Sequence, residues 1–246
     1  MPHFIIISPG RSASTTVRTT INSAPDVLCH GEILGQARVI GVVSDWKFKN
    51  SPNLDVSVQR RSADPAGFCK DLLEDPPFET IGFKALYDHF FQGVGDDVLN
   101  RFLAHKPQVV FLWRRNLVAR FLSRCRKRML ENKRLPERFA GVSEDQIIAD
   151  AKKQMQMARD IRARLDDMGC TDILEVDFED LISGPQAMHD VMTFLNLSDS
   201  GYQILTDERT LRNKTQGVEI ETPASFSADA VQPFTNVSLK QALQMV

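Results

Sequence analysis

The sequence Phe4-Ile5-Ile6-Ile7 is followed directly by Ser8-Pro9-Gly10-Arg11-Ser12-Ala13-Ser14-Thr15-Thr16. Four consecutive aliphatic or aromatic residues are typical of a strand that is buried on both faces, as in a parallel sheet. Pro9 and Gly10 end that strand, and the hydroxyl-rich segment after them predicts the start of a helix. The stretch therefore predicts a strand, a tight loop and a helix in immediate succession.

Further strands and helices alternate along the rest of the chain. Strands are predicted at 81–86, 109–113 and 171–176, and helices at 96–105, 117–129, 143–169 and 185–195. Ser143 and Gln146 form a capping box at the start of the third of these helices, and Gly169 ends it. This order predicts an α/β fold, a P-loop-like central parallel sheet flanked by helices on both faces, in a single domain over 1–246. The irregular segments 41–75 and 203–233 are predicted to be functional loops or lids.

The composition excludes several classes of protein. The 246 residues are 42% hydrophobic and 25% charged, with a net charge of −2, so we expect a globular chain without bulk attraction to nucleic acid or anionic membranes. No apolar run approaches the roughly 18 residues of a membrane span, and the N-terminal apolar run is too short for a signal peptide. The scattered residues Cys29, Cys69, Cys125 and Cys170 indicate reduced thiols. Together these features predict a soluble cytoplasmic protein.

The loop after the first strand has the composition of an anion site. A helix beginning directs backbone N–H groups and the positive end of its dipole at one point, and Arg11 with the hydroxyls of 12–16 adds donors. A hydroxyl-rich turn that only caps its own helix is the alternative. The loop is not a Walker A motif, because it has neither the second glycine nor the lysine. We therefore expect any anion here to be held without a metal ion.

A second basic segment begins where the strand 109–113 ends. The stretch 114–134 has nine basic residues and one acidic residue. Helical spacing predicts an apolar face opposite Arg120, Ser123, Arg124 and Lys127, with Asn116 as the N-cap. Arg115 and Ser123 could then hold one anion from two sides. A solvated basic helix face is the alternative interpretation.

Together these motifs resemble the sulfotransferase family that uses PAPS (3′-phosphoadenosine-5′-phosphosulfate). Its first motif, P-[RK]-[ST]-G-[ST]-[ST], is similar to 9–15 here, with Gly10 and Ala13 as departures. Its second motif has an arginine and a serine eight positions apart, as Arg115 and Ser123 are. The segments 173–182 and 193–197 also resemble the family's Tyr-Glu-Asp-Leu and Phe-Leu-Gly-Leu segments. The resemblance implies the sulfotransferase fold and PAPS as the sulfuryl donor.

The resemblance also implies which residues bind the donor. The 5′-phosphosulfate would lie against the first loop, and the 3′-phosphate against the second motif. A basic loop late in the family's chains corresponds here to Arg212 and Lys214, which we expect to close over the nucleotide. The donor-binding residues are accordingly predicted to be Arg11, Ser12, Ala13, Ser14, Thr15, Thr16, Arg115, Ser123, Arg212 and Lys214, with no metal ligand.

Within the family the chain looks closer to the bacterial branch that includes trehalose sulfotransferase. That branch has a Gly-Glu pair after its first helix, matched here by His30-Gly31-Glu32. Glu32 is therefore the expected general base, and His89 is its rival because an imidazole suits proton transfer near neutral pH. Arg11 would stabilise charge on the leaving phosphate. Lys84, at a strand end, would contact the transferring sulfonate or form a structural ion pair.

The acceptor is expected to be a small molecule, carbohydrate or lipid with a hydroxyl group. The residues leave the acceptor and the oligomeric state open, a homo-oligomer included, and no nucleic-acid partner is expected. A P-loop-like nucleotide kinase and a non-catalytic nucleotide-binding module are the alternative functions. Mg²⁺-dependent ATP binding would indicate a nucleotide kinase. Binding of PAPS without sulfuryl transfer would indicate a non-catalytic nucleotide-binding module.

Overall fold

A five-stranded parallel sheet forms the centre of the protein. The computed structural model describes residues 3–36, 39, 58–74, 76, 78–93, 95–131, 142–198, 201–204 and 228–244, with the side chains of 127–131 and 228 left aside. The strands are β1 (His3–Ser8), β2 (Val27–His30), β3 (Thr80–Leu86), β4 (Gln108–Trp113) and β5 (Ile173–Asp177). They lie in the order β2-β3-β1-β4-β5. The predicted mixed α/β fold with a parallel sheet is confirmed.

Helices connect the strands and cover the sheet on both faces. The first half contains α1 (Ser14–Ile21), α2 (Val58–Ala63), α3 (Pro65–Cys69) and α4 (Asp96–Ala104). A π-helical turn (Lys70–Glu74) follows α3, and a 3₁₀ turn (Tyr87–Phe90) follows β3. The second half contains α5 (Leu117–Glu131), α6 (Glu144–Asp167), α7 (Phe178–Ser183), α8 (Gln186–Phe194), α9 (Ala228–Val231) and α10 (Leu239–Gln244), with a 3₁₀ turn at Gln232–Phe234.

Alternate side chains of the strands enter two separate cores. Ile5, Ile7 and Phe111 belong to the larger core, which α3 to α6 and α10 complete. Phe4 and Ile6 belong to the smaller core, which α1 and α8 complete. Because both faces of each central strand are buried, the strands are continuously apolar, as the sequence of β1 predicts.

The strand order places the loop after β1 at a switch point of the sheet. From β1 the chain passes through α1 to β2 on one side, and from β3 it crosses to β4 on the other side. Crevices form at the carboxyl ends of strands where the direction of winding reverses. Close contact holds β1 against β3, since a Cβ at Gly82 would lie 2.3 Å from the carbonyl oxygen of Phe4. The fold thus directs the hydroxyl-rich loop at a crevice flanked by β3 and β4.

Several local predictions are confirmed, and one strand was missed. The Ser143–Gln146 capping box forms at the start of α6, and Gly169 has a φ of 69° just beyond its end. The strand β2 was not predicted, because its four residues have no strong pattern. All four cysteines lie outside disulfides, as expected, and three of them are buried. Among the described helices, none has the length and apolar character needed to span a membrane.

Candidate active site

The loop between β1 and α1 has an unusual backbone. Arg11 has a φ of 74° and Ala13 a φ of 60°, in the left-handed region that side-chain-bearing residues seldom adopt. The buried Ser12 closes the loop by donating its hydroxyl to the carbonyl of Pro9 at 2.7 Å. Ala13 replaces the glycine of the motif that this loop resembles, and it still takes a glycine-like conformation. Strain of this kind persists where surrounding contacts enforce it, as they commonly do at ligand sites.

The beginning of α1 lacks a side-chain cap. Ala13 occupies the N-cap position without a side-chain hydrogen bond, and the first turn contains no acidic residue. The first N–H groups of a helix have no partners within it, so they are available to an external anion. Ser14 is buried, Thr16 is half-buried and Thr15 is exposed at this end. The buried hydroxyl of Ser8 nearby has no partner among the described residues. An oxyanion fits this set of donors.

Arg11 joins the first loop to the second motif. Its Nε donates to Oγ of Ser123 on α5 at 3.0 Å. Arg114 reaches the same loop from the end of β4, where its Nη1 donates to the carbonyl of Arg11 at 3.0 Å. The Arg114 guanidinium stacks on Phe178 at 4.3 Å from the ring centre, and burial lowers its pKa to about 10. Two of the predicted donor residues, Arg11 and Ser123, are thus in direct contact.

Arg115 faces a different set of partners. Its guanidinium donates to Asp177 at 3.3 Å and to Asp180 at 3.0 Å. Glu179 accepts hydrogen bonds from the backbone N–H groups of Arg115 and Asn116, at 3.0 and 3.1 Å, so a protein carboxylate occupies the start of α5. Burial, reinforced by the neighbouring acids, raises the pKa of Asp177 to about 6 although Arg115 opposes the shift. Arg115 is therefore paired with carboxylates in this structure, whereas Ser123 is paired with Arg11.

The face of α5 opposite its apolar residues is only partly solvated. Arg120 is 1% exposed and pairs with Asp150 of α6, which also holds Arg124 at 2.6 Å. The alternative interpretation, a solvated basic face, therefore does not hold for Arg120. Its burial follows from α6, which packs over α5 and supplies the counter-charge. The segment Arg120–Arg124, which contains Ser123, is anchored at both ends by one carboxylate.

Lys84 and Glu32 form an ion pair beside the loop. Lys84 Nζ lies 2.8 Å from Glu32 Oε1, with side-chain exposures of 9% and 22%. In the register of β1 and β3, Lys84 pairs with Ile6, and Leu86 pairs with Ser8. Paired side chains lie on the same face of a sheet, and Ile6 packs in the smaller core with α1, so Lys84 points to the face that α1 covers. The segment after β2 is fixed to the same strand, because Lys84 N donates to the Gly31 carbonyl at 3.3 Å. These bonds bring the two predicted catalytic residues to the carboxyl ends of the strands.

The two histidines near this ion pair are both buried. His89 is 5% exposed, and its Nδ1 accepts a hydrogen bond from the backbone of Leu86 at 3.2 Å. Burial lowers the pKa of His89, an effect that Glu32 opposes and Lys84 increases. His30 contacts the carbonyl of Leu72 through Nε2 at 2.8 Å, and burial lowers its pKa to about 4. Both rings are therefore neutral at neutral pH.

Some predicted residues lie outside the described structure, and some described residues were not predicted. Arg212, Lys214 and the stretches 41–57 and 205–227 fall outside it. The prediction of an irregular loop over 41–75 is wrong for 58–74, because this part forms α2, α3 and a π-helical turn that bury apolar side chains. No metal-binding group of His, Cys, Asp or Glu occurs within the described residues. Arg114 was not among the residues predicted from the sequence, although its position next to Arg115 was an available signal. It also missed the carboxylates of 177–180 as partners of Arg115, although the resemblance drew attention to that segment.

The same fold occurs in two solved bacterial structures. A sulfotransferase from Alicyclobacillus acidocaldarius superposes with a TM-score of 0.52 at 15% identity, covering 87% of this chain and 89% of that one. The sulfotransferase domain from the curacin biosynthetic pathway superposes with a TM-score of 0.56 at 16% identity, covering 95% and 96%. The chain therefore has the sulfotransferase fold. No protein-family model matches the sequence, and none of the curated proteins is similar to it.

Proposed function

We propose that the protein is a sulfotransferase that moves a sulfuryl group from PAPS to a hydroxyl group of a small-molecule, carbohydrate or lipid acceptor. One observation carries the proposal: Arg11, in the strained loop before an uncapped helix, contacts Ser123 of the second motif. The Lys84–Glu32 pair beside that loop supplies a carboxylate for proton transfer. Its fold is also that of two solved sulfotransferases.

The donor end is assigned to the two motifs. The N–H groups and hydroxyls at the start of α1, with Arg11, would bind the 5′-phosphosulfate. Ser123 would bind the 3′-phosphate, and Arg115 would join it by releasing its carboxylate partners. Arg212 and Lys214 keep their proposed role in closing over the nucleotide. When bound, PAPS supplies the activated sulfuryl group, and these residues hold its phosphates in place.

Glu32 is the proposed general base. Because Nδ1 of His89 accepts a hydrogen bond from the Leu86 N–H, the single proton of the neutral ring resides on Nε2. That tautomer donates at Nε2, so the ring has no lone pair left there to accept a proton. Glu32 accepts without prior rearrangement. The acceptor oxygen forms the new O–S bond, its proton passes to Glu32, and the bridging bond to the 5′-phosphate breaks with both electrons on the phosphate.

Lys84 and Arg11 would stabilise the charge that develops during transfer. Sulfuryl transfer, like phosphoryl transfer, depends on positioning and on cations directed at spread negative charge. Lys84 is held by Glu32 before the reaction. Once Glu32 accepts a proton it no longer attracts the lysine, whose charge then acts on the sulfonate or the leaving oxygen. The ion pair thus couples proton transfer to charge stabilisation.

Calorimetry with 3′,5′-adenosine bisphosphate tests the donor assignment. We expect binding that is unchanged when Mg²⁺ is removed, because the proposed site uses only N–H groups, hydroxyls and guanidinium groups. Mg²⁺-dependent binding of ATP in place of the bisphosphate would instead indicate a nucleotide kinase. The comparison uses the full chain with and without a chelator.

Replacement of the two base candidates tests the catalytic assignment. In a PAPS-consuming assay, Glu32→Gln is expected to lower kcat by about 100-fold or more, the usual contribution of a general base. His89→Gln is expected to lower it by less than about tenfold. Both variants should bind the bisphosphate as the parent protein does. Equal losses would contradict the assignment of Glu32, and full donor binding without any transfer would favour a non-catalytic module.

A further inference from the structure

Arg61 is a buried arginine with an incomplete set of partners. It lies on α2, its side chain is 1% exposed, and its Nη1 donates to the carbonyl of Ile33 at 2.6 Å. Its Nε and Nη2 are also buried, and neither has a hydrogen-bond partner in the described part of the chain. Burial alone lowers the pKa of the guanidinium. Since arginine stays protonated in proteins, the group is a buried cation.

Other arginines near Arg61 or equally buried have carboxylate partners that balance their charge. The adjacent Arg60 is paired with Asp64 and lies 3.1 Å from Asp71. Arg120 is as deeply buried as Arg61 and is paired with Asp150. Among the described residues no carboxylate forms an ion pair with Arg61. An uncompensated buried charge costs free energy, and an apolar side chain of similar size would pack at lower cost. Packing therefore does not account for an arginine at this position.

The vacant donors of Arg61 have the geometry of an anion clamp. Nε and Nη2 form one edge of the guanidinium, with two parallel N–H groups that match the two oxygens of a carboxylate. The Ile33 carbonyl holds Nη1, so the buried edge without hydrogen-bond partners is kept in one orientation. This arrangement is ready to bind a planar oxyanion.

The clamp lies beside the proposed catalytic pair. Ile33, which holds the guanidinium, directly follows Glu32 in a turn closed by the Gly35 N–H and the Glu32 carbonyl at 3.3 Å. The charge of Arg61 also contributes to lowering the pKa of His89. Arg61 is thus close to the group that would receive the acceptor's proton.

On the basis of the proposed function, we propose that Arg61 binds a carboxylate of the acceptor, so that the preferred substrates are hydroxy acids. The carboxylate would complete the buried guanidinium while the hydroxyl group faces Glu32.

Matched acceptor pairs test the inference in the full-length protein. Glycolate, 3-hydroxybutyrate and 4-hydroxyphenylacetate are each compared with the primary amide, and glycerol phosphate with glycerol. The measurements are calorimetric binding in the presence of 3′,5′-adenosine bisphosphate and kcat/KM with PAPS. Because a bidentate charged hydrogen bond is lost in the amide, we expect at least one acid to exceed its amide by about 30-fold in both binding affinity and kcat/KM.

The variants separate recognition from folding. Arg61→Gln should reduce the acid-to-amide ratio to about threefold or less, whereas Arg60→Gln, the matched control, should leave it unchanged. Arg61→Met should melt at or above the parent temperature, because it removes an uncompensated charge. A strongly destabilised Arg61→Met, equal binding of acids and amides by the parent protein, or a preference confined to the phosphate pair would overturn the inference. Failure of the parent protein to bind the bisphosphate would instead overturn the proposed function.

Discussion

Two junctions at which a strand leads into a helix, β1 to α1 and β4 to α5, carry the two predicted anion-binding motifs. They differ in whether a protein carboxylate already occupies the positive end of the helix. At the start of α1 the chain provides no capping side chain, and the backbone adopts left-handed conformations at Arg11 and Ala13. At the start of α5 the carboxylate of Glu179 accepts two backbone N–H groups. One helix beginning is open to an anion from outside, and the other is already closed by the protein.

This difference separates a binding end from a structural end. Only the α1 junction offers backbone N–H groups to a ligand, so α5 contributes through side chains further along, such as Ser123. Glu179, which closes the α5 junction, also lies 3.9 Å from the Arg115 guanidinium, and Asp177 and Asp180 beside it hold the same group. Consequently the two halves of the proposed donor site differ in readiness: the first is preformed, and the second requires Arg115 to exchange a carboxylate for a phosphate.

The largest expected effect comes from the open junction. Arg11→Met removes the contact with Ser123 and a guanidinium from the anion site, so kcat/KM with PAPS should fall by about 100-fold or more. The matched control is Arg162→Met, which breaks an ion pair with Glu175 away from the junctions. Steady-state kinetics and calorimetry with the bisphosphate product provide the readout. Similar losses in both variants would show that the junction is not specific.

Removing the carboxylate that closes the second junction should affect stability more than binding. Glu179→Gln weakens two charge-assisted hydrogen bonds at the start of α5, which should lower the free energy of unfolding by about 1–2 kcal/mol. Chemical denaturation measures the change. Product affinity should rise by no more than about threefold, because Glu179 mainly caps backbone N–H groups and lies as far as 3.9 Å from the Arg115 guanidinium. A gain in stability would contradict the role of Glu179 as a cap.

Asp177 provides a test that depends on pH. Because its folded pKa of about 6 exceeds the unfolded value of 3.8, its contribution to stability is present below pH 3.8 and is lost as pH rises through 6. Asp177→Asn should therefore be more stable than the parent protein by about 1 kcal/mol at pH 8, and equally stable near pH 4. Denaturation at both pH values measures this.

The same variant also probes the exchange at Arg115. Asp177→Asn removes one carboxylate that competes with the phosphate for Arg115. The affinity for the bisphosphate product at pH 8 should therefore rise by about a few fold. A decrease in affinity would show that Asp177 positions Arg115 for the ligand instead of competing with it.

The smallest expected effect concerns the strained loop. At the φ of 60° found at Ala13, glycine avoids a steric cost of about 1 kcal/mol but loses more chain entropy on folding. Ala13→Gly should therefore change the free energy of unfolding by less than about 0.5 kcal/mol. The control Ala163→Gly, at an exposed position within α6, should destabilise by about 1 kcal/mol. Equal destabilisation by both would contradict the strain at Ala13.

The sequence predicted the parts of the fold that are governed by local pattern. The aliphatic runs of β1 and β4 and the capping box of α6 are set by neighbouring residues, so they could be identified without a structure. The short strand β2 depends on pairing with β3, and no local pattern marks it. The candidate site divides in the same way. The loop at Arg11 has a local signature, whereas the partners of Arg115 and Arg120 come from residues 30 or more positions away.

The shared carboxylate of Asp150 has a further consequence for the evolution of this site. It fixes Arg120 and Arg124 on either side of Ser123, so the placement of Ser123 depends on α6 as well as on α5. The 24-residue α6 has its own buried face against the larger core. Under the proposed function, sequence drift in that helix is therefore constrained by nucleotide recognition on its neighbour, and selection for altered donor use should act also on residues distant from the nucleotide.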